Sequence, residues 1–195
     1  MNVGGVSRID ARVMDIWEEI RHDRESGARR MVAEFKNRLY SAALMLGCDE
    51  HEAEDLVFRT FAQAITKIKK FKPPKASSEA DSSKSFYNWV FTILVNFRRM
   101  DVRRQKSRIS MFFPEELPEV PDARPDASEE LALAADGDRV RQAVEKLPEQ
   151  WRMVVVLRYF EDLSTAEIAR MLNVPDGTVR SRLHYAKGLL QTYLS

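Results

Sequence analysis

Residues 163–194, LSTAEIARMLNVPDGTVRSRLHYAKGLLQTYL, leave the chain little choice of local structure. Ser164 is followed three residues later by Glu167, the pattern of a capping box that starts a helix. Ala166, Ile168, Ala169 and Leu172 then form a short apolar stripe. The run Asn173-Val174-Pro175-Asp176-Gly177 breaks it. Pro175 can open the next helix, because the N–H it lacks has no partner in a first turn, and Asp176 suits the positive helix N-terminus. Val179, Leu183, Ala186 and Leu190 recur at spacings of four, three and four, which is one buried face. Thr178, Arg180, Ser181, Arg182, His184, Tyr185 and Lys187 fall around the rest of that helix. Two helices on a tight turn form a helix-turn-helix, a device that can lay its second helix in the DNA major groove. Arg reads guanine edges bidentately, and Ser and Thr reach phosphates or bases. Two ordinary surface helices give the same pattern, so the remainder of the chain decides.

Seven glycines among 195 residues, with few β-branched runs, predict an all-α protein. Cys48 is the single cysteine, which excludes an internal disulfide and a Cys-based zinc site; a small buried apolar side chain is its expected role. No apolar run approaches the roughly 20 residues of a membrane span, and the N-terminus lacks the apolar core of a signal peptide, so a cytoplasmic protein is expected. There is no P-loop or glycine-rich phosphate cradle, and His22, His51 and His184 fall in separate expected elements. His51 beside Asp49, Glu52 and Asp55 reads as a solvated helix start rather than a metal site. No enzyme, cofactor or metal is expected.

The formal net charge of +1 conceals a strong segregation. Residues 59–108 carry 13 Lys and Arg against 3 Asp and Glu, whereas residues 109–138 carry 1 against 9. Two basic segments flanking an acidic one suggest two nucleic-acid-facing modules and a connector of different character.

Taken in order, Ile9, Val13, Ile16, Trp17 and Ile20 predict an amphipathic helix over 8–22. A second helix runs from about Ala28 to Leu46, with Gly47 as its stop. A third starts near Asp49, carries the stripe Ala53, Leu56, Val57, Thr60, Phe61, Ala64, Ile65 and Ile68, and ends before Pro73-Pro74. Residues 71–85 read as a loop rich in Pro, Ser and Lys. A helix from about Phe86 to Lys106 follows. Phe86, Trp89, Val90, Ile93 and Phe97 share one face and are expected in the core. Tyr87 and Phe91 lie four apart on a different face, beside Arg98, Arg99, Arg103 and Arg104. Exposed rings next to cations are what single-stranded nucleic acid needs, since bases stack on rings while cations hold phosphates. Packing of the same two rings on the N-terminal helix or on a partner is an equal alternative. Residues 107–128 hold four prolines and many acids and read as an extended linker, with Met111, Phe112 and Phe113 expected to pack back on a domain. Leu131, Leu133, Val140, Val144 and Leu147 mark a helical portion broken at Gly137, and Pro148 opens a helix over Glu149 to Phe160. The expected organisation is therefore a domain over 1–106, a linker over 107–128 and a second domain over 129–195.

Both halves together resemble a bacterial alternative sigma factor of the extracytoplasmic function (ECF) group. Leu147-Pro148-Glu149, Arg152, Glu167-Ile168-Ala169 and Gly177-Thr178-Val179-Arg180-Ser181-Arg182-Leu183 resemble the family's fourth conserved region. AEDLVFRTF at 53–61 and SFYNWVFTILVNFRRMDVRR at 85–104 resemble its second. The resemblance implies a partner, core RNA polymerase, whose clamp would meet Asp55, Leu56, Phe58, Arg59 and Phe61. It implies melting and capture of a −10 element by Tyr87, Trp89, Phe91, Asn96, Arg98, Arg99, Arg103 and Arg104, with the loop 71–85 assisting. Asn96 and Asp101 match polar positions of the motif, which structural hydrogen bonding would explain as well. Thr178, Arg180, Ser181, Arg182, His184, Tyr185 and Lys187 would read a duplex −35 element, the linker would thread through the polymerase, and an anti-sigma factor would hold the free protein inactive. The chain departs from the family in carrying Phe58-Arg59 where Gln-Glu is usual, in a longer loop before Ser85, and in its N-terminal helix. A stand-alone helix-turn-helix regulator is the alternative function; it leaves the basic aromatic helix and the acidic linker without a role.

Overall fold

The computed structural model describes residues 16–73, 79–110 and 137–194, and every regular element among them is a helix. Residues 16–22 form α1, followed by α2 (Arg24–Met45), α3 (Glu50–Lys67), α4 (Glu79–Ser110), α5 (Gly137–Glu145), α6 (Glu149–Val155), α7 (Thr165–Leu172) and α8 (Asp176–Leu194). The helices group into two units: described residues up to 43 with 50–102 make the first, and 44–49 with those from 103 onward make the second.

In the first unit Asp23 alone separates α1 from α2, where a longer polar break was expected. The Asp23 carboxylate accepts from the N–H groups of Glu25 and Ser26, which caps α2. The sharp junction depends on Gly27: a Cβ there would lie 2.4 Å from the Ile20 nitrogen. At its other end α2 stops at Gly47, which has φ 83°, a conformation that glycine adopts without a Cβ penalty. Helix α3 buries Ala53, Leu56, Val57, Thr60, Phe61 and Ala64 of the expected stripe, leaves Ile65 half-exposed, and runs into a single 3₁₀ turn, Ile68–Lys70, that buries Ile68.

Helix α4 corrects two expectations. It begins at Glu79, so the segment read as a loop over 71–85 is helical from 79 onward, and it runs to Ser110, four residues into the stretch read as linker. No proline falls between Glu79 and Ser110, so nothing local stops the helix earlier. Residues 8–15, Met111, Phe112, Phe113, Leu131, Leu133 and the rest of the linker lie outside the described residues.

In the second unit α8 packs against α5, α6 and α7. Val140, Val144, Leu147, Val154, Val156, Leu157, Ile168, Leu172, Val179, Ala186 and Leu190 form its core. Arg152 ties the α5–α6 junction together by donating to the carbonyls of Leu147 (2.9 Å) and Glu145 (2.5 Å). The helix read as continuous over Glu149–Phe160 widens to a π-turn at Val156–Phe160, closed by the Glu161 N–H donating to the Val156 carbonyl at 3.1 Å. The extra residue lets Leu157 and Leu163 both reach the core while Tyr159 and Phe160 stay exposed.

Two glycines should respond oppositely to alanine. Gly188 lies inside α8 with nothing within 4 Å of an added Cβ. Gly188→Ala should therefore raise unfolding free energy by about 0.5–1 kcal/mol in urea titration. Gly27→Ala should lower it by about 1–3 kcal/mol, because the added Cβ can fit only if α1 moves off α2.

Candidate functional site

The helix-turn-helix is built as its sequence dictates. The Ser164 hydroxyl accepts from the Glu167 N–H at 3.3 Å, and the Glu167 carboxylate accepts from the Ser164 N–H at 2.8 Å. Asn173 closes α7 in the left-handed conformation, φ 53°, which asparagine tolerates better than most residues. The Pro175 carbonyl then accepts from Thr178 and Val179 as α8 begins. Val179, Ala186 and Leu190 are buried, and Leu183 is half-buried.

That packing turns Gly177, Arg180, His184 and Gly188 to the outside at spacings of three, four and four. Arg180 is 66% exposed and is held by an i,i+4 ion pair to Asp176 at 2.6 Å. Thr178, Ser181, Arg182 and Lys187 are half-exposed at the edges, and the Ser181 hydroxyl donates to the Thr178 carbonyl. Tyr185 stacks on Trp151 of α6 at 6.3 Å, so it supports the helix from behind.

In the first unit the structure rearranges the expected site. Tyr87 and Phe91 are 4% and 0% exposed, stacked on each other at 5.8 Å. The Phe35 ring meets Tyr87 edge-on and the Arg38 guanidinium covers it at 3.9 Å. Neither ring can stack on a base in this fold: they are packed inside the protein, Tyr87 against α2 rather than on the N-terminal helix or a partner as the alternative had it. Trp89, Ile93 and Phe97, expected in the core, are half-exposed instead. The signal was present in the sequence: Asn88, Thr92 and Asn96 recur at intervals of four between 86 and 97, marking the polar face, with Arg99 and Arg103 continuing it. Asn96, Arg103 and Arg104 are exposed and Arg99 is half-exposed, whereas Arg98 is 8% exposed and lies 3.8 Å from Glu52.

The residues expected at a polymerase contact also divide. Leu56 and Phe61 are buried in the helical core. Phe58 is 73% exposed and stands at a groove of about 790 Å³ between α2 and α3, lined also by Val32, Tyr40, Val57 and Ile65. Desolvation, with help from the Glu50 and Glu54 carboxylates, pushes the Tyr40 phenol above its ordinary pKa. Arg59 turns away from the groove to α4, donating to both Asp101 oxygens at 3.3 and 2.6 Å. It lies 2.7 Å from Asp55 as an ion pair without hydrogen-bond alignment, and 5.3 Å from the centre of the Phe97 ring. The bond to Asp101 holds its guanidinium pKa above the ordinary value. Asp101 is thus engaged in structural hydrogen bonding. Among the described residues no group of three or more His, Cys, Asp or Glu is arranged to hold a metal ion, and no helix is long and apolar enough to cross a membrane.

These two surfaces fall inside known family patterns. Residues 31–108 match the model for Sigma-70 region 2, and residues 137–190 match the model for Sigma-70, region 4. The ECF RNA polymerase sigma factor SigL of Mycobacterium tuberculosis is 30% identical over 80% of this chain and 82% of its own. SigW of Bacillus subtilis is 27% identical over 82% of this chain and 84% of its own. SigE of Mycolicibacterium smegmatis is 30% identical over 95% of this chain, which spans 64% of that relative's length. Among solved structures, the Bartonella quintana sigma factor RpoE, crystallised with the anti-sigma factor NepR, shares the fold with a TM-score of 0.60 over 85% of this chain and 95% of its own, at 22% identity. CnrH, solved with the cytosolic domain of CnrY, gives 0.61 over 94% and 97%, also at 22% identity. A stand-alone regulator would have no use for a region 2 ahead of its helix-turn-helix; the chain belongs to the ECF RNA polymerase sigma factors.

Proposed function

We propose that this sigma factor divides its work among three surfaces. Phe58 and the α2–α3 groove engage core RNA polymerase. The polar, basic face of α4, through Trp89, Asn96, Arg99, Arg103 and Arg104, engages the opened −10 strand. The outer face of α8, through Thr178, Arg180, Ser181, Arg182, His184 and Lys187, reads the −35 duplex.

The observation that carries this reading is Phe58. A phenylalanine 73% exposed beside an apolar groove wastes apolar surface unless a partner covers it. Its neighbours Leu56 and Phe61 anchor the helix from within, so the groove is held in shape before any partner arrives. The polar stripe of α4 supports the second surface, because Asn88, Thr92 and Asn96 lead along one face into the cations Arg99 and Arg103. Arg180 supports the third: exchanging its contact with Asp176 for a guanine edge costs little, since an exposed ion pair contributes little.

A protein that covers the Phe58 groove would exclude polymerase. The RpoE neighbour is bound to an anti-sigma factor, and a partner of that class is proposed for this chain as well. The domain limits expected from the sequence, 1–106 and 129–195 with a linker over 107–128, are kept as part of this proposal.

Phe58→Ser should leave the melting temperature within a few degrees and reduce co-elution with core polymerase at least ten-fold, about the loss of one large buried apolar side chain. Full co-elution by this variant contradicts the polymerase-facing role. Arg180→Ala should weaken −35 protection in footprints of the holoenzyme by about 1–3 kcal/mol if the guanidinium reads a base, and unchanged protection rejects that assignment.

A further inference from the structure

From Phe86 to Ser110 the chain holds six Arg and Lys and a single acid, Asp101. That acid stands between Arg98-Arg99 and Arg103-Arg104, where a nucleic-acid phosphate would be drawn. Its side chain is 31% exposed, so solvent and ligand both feel its charge. Arg59 reaches across from α3 and covers both of its oxygens. Arg59 occupies the position where the ECF pattern carries an acid, so the pairing belongs to this chain's own sequence.

We propose that Arg59 is an electrostatic mask as well as a staple: it neutralises Asp101 so that the basic face of α4 presents no bare carboxylate to a bound strand. The inference rests on the reading of α4 as the strand-facing helix. Its physical basis is that affinity for a polyanion follows the local charge count. With Arg59 in place the carboxylate is paired on both oxygens. Without it, Asp101 repels the phosphates that its outward-facing neighbours Arg99, Arg103 and Arg104 attract. Asp55 shares the same guanidinium, so loss of Arg59 uncovers a second acid on α3. A staple alone makes a different prediction. It would make Arg59 and Asp101 equivalent, because removing either end breaks the same bond.

The two are separated by binding of a fluorescein-labelled single-stranded dT30 to the full-length chain across a salt series. Masking predicts that Arg59→Ala weakens binding about five-fold at 0.1 M salt, the contribution of one phosphate-neutralising charge on a single strand. Asp101→Asn should bind as tightly as the wild type or up to about five-fold more tightly. The double variant Arg59→Ala/Asp101→Asn, which restores the charge balance without the staple, should return to wild-type affinity. Arg59→Lys should keep affinity while losing the two-pronged contact. Melting temperature should fall in all four, which shows that the affinity order does not follow stability. Equal affinity in all variants, affinities that track melting temperature, or no measurable binding of dT30 by the wild type at low salt would each overturn the proposal. Failure of the wild type to co-elute with core polymerase would strike the polymerase-facing role of Phe58 and leave this order of affinities intact.

Discussion

Seven rings form one connected cluster in the first unit. Trp17 meets Phe71 edge-on at 5.8 Å, Phe71 meets Phe86 and Trp89, and Phe86 lies 6.0 Å from Phe35. Phe35 in turn holds Tyr87, which stacks on Phe91. Each such pair adds about 0.5–1.5 kcal/mol beyond the burial of its surface. The cluster draws on α1, α2, α4 and the residue that ends the 3₁₀ turn, so it sets the rotation of α4 about its own axis. That rotation decides which side of α4 is free. With Tyr87 and Phe91 inside, the Asn88, Thr92 and Asn96 stripe, with Arg99 and Arg103 beyond it, is left on the outer side. The N-terminal helix is part of this arrangement. Arg21 donates to the Phe71 carbonyl and lies over the Trp17 ring, while Glu19, its pKa lowered by bonds from Ser26 and Arg30, ties α1 back to α2.

The charged groups at the far end of α4 repeat the theme on a smaller scale. Arg98 points inward toward Glu52 and Arg59 reaches outward to Asp101, so two ion pairs connect α3 and α4 in opposite senses. Both pairs consume charges that a count of the basic segment would assign to ligand binding. Among the arginines whose side chains are described, Arg99, Arg103 and Arg104 remain for a strand, with Arg99 and Arg103 one turn apart on the same face.

Features set by neighbours in the chain were legible in the sequence. The capping box of Ser164 and Glu167, the break at Asn173–Gly177, the stop at Gly47 and the stripe of α3 depend on residues within one or two turns of each other. The face of α4 was harder, because FYNWVFTILVNF is apolar almost all round and two adjacent stripes fit a helix equally well. The three polar residues spaced by four mark the correct face, but they carry less weight in a hydrophobic tally than the rings do, and the other stripe was read as core. The direction of Arg59 was not legible, since its partner is 42 residues away and only the packing of α3 on α4 brings them together. The start of α4 at Glu79 was hidden by the Ser- and Lys-rich composition around it, which resembles a loop locally, whereas from Glu79 onward the chain is continuous with a strongly packed helix.

On this reading the two units act together on one promoter through one polymerase. A run-off transcription assay tests it most directly, using core bacterial RNA polymerase, this chain and a mixed library of promoter fragments. Transcripts should require both proteins and start a fixed distance downstream of paired −35 and −10 sequences. Co-elution with core polymerase but no transcript from any fragment, or transcripts that persist when residues 137–195 are removed, would contradict it.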